Sequence, residues 1–555
     1  MSSQCLYAQL LFLAAVFAGY STIGSTLVLG EDGTSKSEKA TERRKDDQQA
    51  DEVARVAAEI DRLIAQHWTE NDIQPTEPAG DAEYLRRVYL HISGCIPPVS
   101  VTREFLMDES PNKRRLVVEQ LLDEAGYIVN STRYWRRAML PETESDLQTR
   151  FVVPGFETWL REHMTTNTPY DQLVREIINT PLDNDNRNEY FARLQSSSPL
   201  AFYQAKQVAP ENLAAATSRI FLGVQIECAQ CHDHPFDAWK RDEFWSFAAF
   251  FAGIVRERQG DFVSLVRELP DRREIGVPDT DRVVQAMYLD GAEPRWRFRV
   301  GPRETLANWI TSADNPYFAR AAANRIWSQL FGIGIVEPID DFSDANPPSH
   351  PELLDLLARE FVSHKFDLKF MIRAITATNT YQLSSRQTHS SQVDPRTFAR
   401  MSLQGLTPEQ LYDCLAQAAG SYQPFQPQAV FFAAQTPQGE FVETFAEEGA
   451  SKIERETTIL QSLLLMNGQQ VSLAVSPESP RSTLGAIVDS PFLDTKGKIE
   501  TLYLAALCRM PTESELRKAI QYVEPTEVTL NKDATKALSD IFWALLNSTE
   551  FLVNH

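Results

Sequence analysis

Cysteine is scarce in this sequence, with six in 555 residues. A disulfide scaffold needs a much higher density of cysteine, so any chemistry of these thiols is local and depends on their spacing. Basic residues are also outnumbered: 54 Lys and Arg stand against 76 Asp and Glu, and the formal net charge is −22. Such a chain repels phosphate backbones, which excludes nucleic acid as an expected partner.

Several catalytic signatures are missing as well. The chain has no Gly-rich phosphate loop, no Gly-x-Ser-x-Gly nucleophile elbow and no His-Glu-x-x-His zinc helix. Hydrolase and nucleotide-dependent classes therefore lose their usual evidence, and whether the protein is an enzyme stays open. An internal repeat is also lacking, which disfavours solenoids and arrays.

The amino-terminal region lacks charge: no charged side chain occurs in residues 1–30, which include the apolar run LYAQLLFLAAVFAGY. This pattern predicts a signal peptide and an exported, periplasmic protein. The uncharged stretch 5–29 is also long enough for an uncleaved membrane anchor, which would leave the rest of the chain facing the periplasm. Residues 31–51 are highly charged with almost nothing apolar, and they predict a disordered linker.

Beyond this linker the sequence shows mainly helical periodicity. Capping boxes at Thr168–Asp171, Ser349–Glu352 and Thr512–Glu515 each lead into an apolar helical pattern, and Asn315 before Pro316 marks a further helix start. The fold class is therefore predicted to be mainly α. The core-facing stripe of the first helix consists of Val53, Val56, Ile60, Leu63 and Ile64.

One segment departs from the helical pattern. Residues 256–301 contain the short β-type runs FVSLV, VVQAMYL and WRFRV, separated by Pro, Gly and Asp. A small β-hairpin or sheet insert is expected there. The chain is thus expected to consist of two helical domains, residues 52–255 and 302–555, joined by this insert.

The strongest chemical motif is CAQCHDHP at residues 228–235. It contains Cys-x-x-Cys-His, the spacing of covalent c-type haem attachment. On one helical turn, Cys228 and Cys231 can reach the two vinyl groups of a porphyrin, while His232 reaches the iron from one face. We therefore predict a haem c site at these three residues, with electron transfer as the role. Haem attachment suits an exported protein because it takes place outside the reducing cytoplasm.

Two other interpretations of the motif stay open. Cys228, Cys231 and either His232 or His234 could hold zinc, although a fourth ligand is missing locally. The function would then be that of a non-redox binding or scaffold protein with a structural zinc. A disulfide between the two cysteines is the second alternative, but it leaves the neighbouring histidines unexplained. His234 is not the axial ligand opposite His232, since two residues of chain do not span a porphyrin.

Further haem contacts are not fixed by the spacing. Met164, Met287 and His350 are candidates for the distal ligand, and an open distal position is the alternative. Aromatic residues on both sides of the motif form either flat walls for a porphyrin or plain core. These aromatic residues are Phe221, Trp239, Phe244, Trp245, Phe247, Phe250 and Phe251.

A second polar constellation follows in the carboxyl-terminal half. Within it, Asp341-x-x-Asp344-x-Asn346 offers oxygen ligands for a hard cation, but lacks the glycine turn and closing Glu of a calcium loop. A structural interpretation is favoured, in which Asp340 and Asp341 pair with Arg320 or Arg325 and His350 faces solvent at a helix start. An enzyme site near Asp341 and His350 is a third functional hypothesis. The constellation comprises Arg320, Asn324, Arg325, Asp340, Asp341, Asp344, Asn346 and His350.

Three other cysteines, Cys95, Cys414 and Cys508, stand singly in apolar contexts and are expected to be buried thiols. A pairing among them is left open for an exported protein.

Long stretches of the chain resemble a known two-domain family. QIECAQCHDHPFDAWKRDEFWSFAAFFAGI, with YLRRVYLHISGCIPP upstream, resembles the planctomycete cytochrome-c-associated domain, and GPRETLANWITSADNPYFARAAANRIWSQLFGIGIVEPIDDF resembles its carboxyl-terminal companion domain. The resemblance covers about residues 53–555. It implies an exported protein with two domains of unknown function, coupled to electron transfer with a redox partner protein. It carries over no catalytic residue.

Overall fold

The chain is mainly α-helical, as the sequence predicts, and its strands are short antiparallel pairs. The computed structural model describes residues 32–144, 152–182, 187–233, 238–256, 266–421, 436–445, 466, 468–478, 482–524 and 533–555.

The helices before the insert are mostly of two to four turns. Proline in the first turn starts α6 and α10, where its missing N–H costs no hydrogen bond. The helices are α1 (Asp32–Glu70), α2 (Asp81–Ile92), α3 (Val99–Met107), α4 (Lys113–Asp123), α5 (Ala125–Met139), α6 (Val153–Thr165), α7 (Tyr170–Ile178), α8 (Arg187–Gln195), α9 (Ala201–Ala205), α10 (Pro210–Thr217) and α11 (Arg241–Ala248).

The helices after the insert continue the same architecture, and α12, α14 and α16 again begin with proline in the first turn. They are α12 (Pro302–Ile310), α13 (Phe318–Phe331), α14 (Pro351–Ser363), α15 (Leu368–Thr376), α16 (Pro408–Ala419), α17 (Pro437–Phe445), α18 (Gln469–Ala474), α19 (Thr483–Val488), α20 (Thr495–Leu507), α21 (Glu513–Val523), α22 (Ala534–Leu546) and α23 (Thr549–Leu552).

The expected β insert is present as two small hairpin-like sheets. Strand β1 (Ile254–Arg256) pairs with β2 (Val266–Glu268), and β3 (Glu274–Gly276) pairs with β4 (Val283–Gln285). Of the predicted runs, VVQAMYL forms a strand only over its first three residues and WRFRV forms none, while most of FVSLV lies outside the described residues.

The region expected to be a disordered linker is helical where the structure describes it, because α1 begins at Asp32. Its low apolar content was the reason for expecting disorder. Helix propensity acts independently of burial, however, and residues 34–51 contain no Gly or Pro and many Lys, Glu, Arg, Gln and Ala. The chain divides into two units, Met1–Glu52 and Val53–His555, and the features below belong to the second.

Two predicted helix starts are confirmed in detail. Thr512 and Glu515 form a reciprocal capping box, with the Thr512 N–H donating to Glu515 Oε2 at 2.7 Å and the Glu515 N–H donating to Thr512 Oγ1 at 3.3 Å. Asn315 Oδ1 accepts from the N–H groups of Tyr317 and Phe318 at 2.9 and 3.0 Å, which fixes the start of α13.

The other two predicted capping boxes are wrong, although helices do start beside them. α7 begins at Tyr170 and α14 at Pro351, both without a side-chain cap. The hydroxyls are engaged elsewhere: Thr168 Oγ1 lies 2.9 Å from His163 Nδ1, and Ser349 Oγ donates to the carbonyl of Ile335 at 3.2 Å. Tertiary contacts have replaced the local hydrogen bond in both cases.

The largest apolar cluster is shared by helices on both sides of the insert. It runs from Val53 to Met401 and includes the fully buried Phe156 and Trp327. A second cluster joins Leu90 and Ile96 to the helices from α16 onward. Because α2 contributes to both clusters, the two halves are packed into one compact unit.

A fully buried arginine on α2 ties distant parts of the chain together. Arg87 donates to the carbonyls of Tyr381 at 2.6 Å, Leu383 at 2.7 Å and His555 at 3.1 Å, and it pairs with Glu83 at 2.8 Å. A buried guanidinium requires such partners, because an unpaired charge in the interior is very costly.

Its neighbour Arg86 is also fully buried and holds the last described helix in place. It donates to the carbonyls of Phe551 at 2.8 Å and Val553 at 3.2 Å. Just beyond, β6 (Val553–Asn554) pairs antiparallel with β5 (Gln404–Gly405). These contacts bring the segment around residue 553 back onto α2.

Of the helices in the described ranges, none combines the length and the apolar composition needed to cross a bilayer. The stretch 5–29, which the sequence offers as a signal or anchor, lies outside those ranges.

Candidate functional site

The Cys-x-x-Cys-His motif lies in a series of tight turns that follow α10. A π turn at Ser218–Leu222 ends at Gly223, whose φ of +70° favours glycine. A Cβ at this position would also lie 2.6 Å from the ring of Phe342, so the close packing requires glycine. A 3₁₀ turn at Glu227–Gln230 then carries the first cysteine of the motif.

Cys228 and Cys231 are both free thiols and both exposed. Cys228 belongs to the 3₁₀ turn, whereas Cys231 is the residue directly after it. The two cysteines are three positions apart and both are exposed, so an external ligand or reagent can reach either thiol.

The ring of His232 is exposed and oriented by its own backbone neighbour. Its Nδ1 lies 2.8 Å from the carbonyl oxygen of Asp233. A carbonyl oxygen can only accept a hydrogen bond, so Nδ1 carries the proton and donates. In the neutral ring Nε2 then holds the lone pair, which is the nitrogen that a metal ion would bind.

The motif is held to α11 at two points, one between the two cysteines and one just after them. Trp245 Nε1 donates to the carbonyl of Gln230 at 3.0 Å, and the N–H of Arg241 donates to Asp233 Oδ1 at 2.9 Å. Ala229, between the two thiols, is fully buried. The segment is thus fixed to α11 and to the core, while its two cysteines remain exposed.

The aromatic residues around the motif belong to the core. All of them are buried except Trp239, which is half-buried and packs against the same cluster. The interpretation as plain core is therefore correct for these side chains. The buried ones are Phe221, Phe244, Trp245, Phe247, Phe250 and Phe251.

The turn before the motif is bound to a loop from beyond the insert. Arg219 Nε lies 2.7 Å from Asp340 Oδ2, and Gln225 Nε2 donates to Asp340 Oδ1 at 3.2 Å. The N–H of Phe342 donates to the carbonyl of Gly223 at 2.8 Å. The motif therefore lies where the two halves of the chain meet.

Glu227 gives this junction an unusual carboxyl group. Burial raises its pKa, and the carboxylates of Asp340 and Asp341 raise it further, while Arg219 acts in the opposite direction. Sequence reasoning missed Arg219, Gln225 and Glu227. Asp340, which binds Arg219 and Gln225, lies more than a hundred positions away in the chain, and no local pattern marks any of the three residues.

The two halves of the chain that meet at this site match two different protein-family models. Residues 59–256 match PSCyt2, a protein of unknown function (DUF1549), and residues 302–523 match PSD1, a protein of unknown function (DUF1553). The chain carries a PSCyt2 domain followed by a PSD1 domain. No curated protein and no solved structure matches it. The motif thus lies in the PSCyt2 domain, and its Asp340 contact comes from the PSD1 domain.

The polar constellation of the PSD1 domain has other partners than predicted. Asp340 pairs with Arg219 of the PSCyt2 domain rather than with Arg320 or Arg325, and Arg320 pairs with Asp355 at 2.7 Å. The prediction was wrong because the helical spacing of the arginines says nothing about which loop covers them.

The proposed cation ligands of the same domain bond to one another. Asn346 Nδ2 donates to Asp341 Oδ2 at 2.6 Å and to Ser343 Oγ at 3.3 Å. The buried side-chain amide of Asn324 binds backbone groups at both its nitrogen and its oxygen. Nδ2 donates to the carbonyl of Val336 at 2.9 Å, and Oδ1 accepts from the N–H of Val336 at 3.0 Å. These side chains therefore act in holding the loop.

His350 is buried, which corrects the expectation that it faces solvent. Its ring packs against that of His67, with centroids 4.1 Å apart, and against Phe398 at 5.2 Å. Nδ1 lies 3.1 Å from Ser349 Oγ, while Nε2 has no hydrogen-bond partner. Burial lowers its pKa to about 3, and the charges of His67 and Arg396 contribute to this.

The other two candidates for the distal ligand, Met164 and Met287, differ in burial. Met164 is buried within the main core cluster, whereas Met287 is half-buried and its N–H donates to the carbonyl of Ser246 at 3.1 Å. His234, the second histidine of the motif, lies outside the described residues. Within the described ranges, no three His, Cys, Asp or Glu side chains come together closely enough to hold a metal ion.

Proposed function

We propose that this protein is an exported c-type haem-binding protein that takes part in electron transfer or in a redox accessory role. The observation that carries the proposal is that Cys228 and Cys231 are both free and exposed, with the exposed His232 directly after them. Two thiols and an imidazole at this spacing are the donor set of c-type attachment.

Each residue of the motif has a defined task in this proposal. Cys228 and Cys231 would hold the porphyrin through thioether bonds, and His232 would bind the iron through Nε2. Haem, when bound, supplies a one-electron couple. The hydrogen bond from His232 Nδ1 to the carbonyl of Asp233 orients the ring and increases its basicity as a ligand. Trp245 keeps the turn in register by binding the carbonyl of Gln230.

Export follows from the same chemistry. Covalent haem attachment requires a compartment outside the reducing cytoplasm, and residues 1–30 have the uncharged, apolar character of a signal. The proposed location is the periplasm, either free or anchored through residues 5–29. The proposed partner is a redox protein, and a net charge of −22 favours one with a basic docking surface.

A pyridine haemochrome spectrum of the denatured protein tests this proposal. The full chain is produced in the periplasm of a host that carries c-type maturation machinery. A covalent c-type band is expected in the wild type and is expected to be lost in Cys228→Ala/Cys231→Ala. His232→Ala is expected to lower haem incorporation, whereas His389→Ala, at an exposed histidine elsewhere, is the matched control and should retain it.

A colourless protein with one zinc per chain would overturn the proposal. It would favour the alternative, a non-redox binding or scaffold protein with a structural zinc at residues 228–234. Structural zinc is usually held by four ligands. Cys228, Cys231 and either His232 or His234 would supply three of them, and the fourth ligand would come from elsewhere.

A further inference from the structure

Two cysteines outside the motif come together from the two domains. Cys95 lies between α2 and α3 in the PSCyt2 domain, and Cys414 lies on α16 in the PSD1 domain. Cys95 Sγ donates to the carbonyl of Asp413 at 3.4 Å, across 318 positions of sequence. The Cys414 thiol is its direct side-chain neighbour, and this contact together with burial raises the pKa of the Cys95 thiol well above its usual value.

The backbones that carry the two thiols are held together by independent contacts. Gln410 Nε2 donates to the carbonyl of Leu90 at 3.1 Å, one turn before Cys414 and shortly before Cys95. Arg133 Nη1 lies 2.5 Å from Asp413 Oδ2, which fixes α16 to α5. The approach of the two thiols is therefore a property of the domain junction and does not depend on the thiols themselves.

The two cysteines differ in solvent exposure, and this difference fits a thiol–disulfide exchange in two steps. Cys95 is half-buried, whereas Cys414 is fully buried in the second apolar cluster. A third cysteine, Cys508, lies in the same cluster, but its sulfur accepts from Arg86 Nη1 at 3.7 Å. Cys95 is thus the member that an external reagent can reach, and Cys414 is placed to react second.

We propose that Cys95 and Cys414 form a disulfide bond in an oxidising compartment, and that this bond covalently joins the PSCyt2 domain to the PSD1 domain. The oxidant is a disulfide of a small molecule or of a thiol oxidase. The Cys95 thiolate attacks one sulfur of that disulfide, which releases one thiol and leaves a mixed disulfide. The Cys414 thiolate then attacks Cys95 Sγ and releases the second thiol. Two protons and two electrons leave the protein, and the oxidant is reduced to two thiols.

Thiol counting on the full chain tests the bond. The purified protein is incubated with oxidised glutathione or with dithiothreitol, then denatured and alkylated with a maleimide of measurable mass. The background is Cys228→Ser/Cys231→Ser, so that the motif cannot contribute. Oxidation is expected to remove two alkylatable thiols, and a non-reducing digest is expected to contain one cross-linked peptide with Cys95 and Cys414.

Two variants separate this bond from other pairings. Cys95→Ser, at the half-buried position, is expected to abolish the loss of thiols, whereas Cys508→Ala is expected to leave it unchanged. A cross-link between Cys414 and Cys508, or full alkylation of Cys95 after oxidation, would overturn the proposal. Because the motif cysteines are absent from this background, the outcome is independent of whether the wild type binds haem.

Discussion

The guanidinium of Arg219 lies 2.7 Å from the carboxylate of Asp340, and this ion pair joins the turn before the Cys-x-x-Cys-His motif to the PSD1 domain. Asp340 also accepts from Gln225, so one carboxylate binds a residue within the π turn and another between that turn and the motif. The position of the motif is therefore set by residues from both domains.

Asp340→Asn is expected to destabilise the junction modestly. Arg219 is half exposed, so solvent screens the pair and the expected loss in the free energy of unfolding is about 1 kcal/mol. Urea unfolding monitored by circular dichroism measures it. Asp355→Asn, in the more exposed pair with Arg320, is the control and should cost less. An equal effect of both variants would contradict the role given to Asp340.

Glu409→Gln is expected to be strongly destabilising. Glu409 on α16 pairs with Arg137 and with Arg136, at 3.8 Å for the latter, and these arginines lie on α5 of the other domain. The expected loss in the free energy of unfolding is about 2 kcal/mol, because two guanidinium groups lose a charged acceptor at a part-buried position. Urea unfolding at neutral pH measures the loss, and Glu104→Gln, at an exposed position of α3, is the control.

The same carboxyl group gives the variant a signature in acid. The arginines lower the pKa of Glu409 to about 2 from 4.5, although burial acts in the opposite direction. Between these values the unfolded chain takes up a proton that the folded chain does not, so stability falls as pH falls. The contribution is complete above pH 4.5 and is lost as pH approaches 2. Glu409→Gln should show a shallower loss of stability in that window.

Arg87→Met is expected to cost about 3 kcal/mol, since the two buried carbonyls of Tyr381 and Leu383, the backbone oxygen of the half-buried His555 and the carboxylate of Glu83 lose a charged donor. The carbonyls of Tyr381 and Leu383 have the shortest bonds and should be affected first. Hydrogen exchange around residues 381–383 should increase along with the drop in thermal midpoint. Arg115→Met, at an exposed site on α4, is the matched control. Unchanged exchange in the Arg87 variant would show that other contacts hold this segment.

His350→Phe is expected to flatten the pH dependence of stability below neutral pH. The folded pKa is about 3 and the unfolded value 6.5, so the unfolded chain binds a proton that the folded chain excludes. Stability from this group is complete above pH 6.5 and falls by about 1.4 kcal/mol per pH unit toward pH 3. Thermal midpoints at pH 7.5 and 5.5 compare the two proteins. His555, whose pKa burial lowers to about 4, adds a slope of the same sign that the variant retains.

Local sequence patterns predicted those features that depend on interactions between residues close together in the chain. The helical class and the helix starts at Asn315 and Thr512 depend on residues a few positions apart. Pairings between distant parts of the chain could not be predicted, because only the packing of the loop brings Asp340 to Arg219. The sequence did not predict the helix at residues 32–51, because the low apolar content there indicates disorder while the helix propensity of the same residues favours a helix.

The return of residues 551–555 onto α2 limits how this protein can be divided or recombined. The guanidinium groups of Arg86 and Arg87 would have no acceptors there in a fragment restricted to the PSCyt2 domain. Conversely, the helices after α16 would lose Leu90 and Ile96 from their apolar cluster. We therefore expect neither domain to fold when it is cut out of the chain. A chimera of two relatives should fold only if α2 and the segments that pack against it come from the same parent.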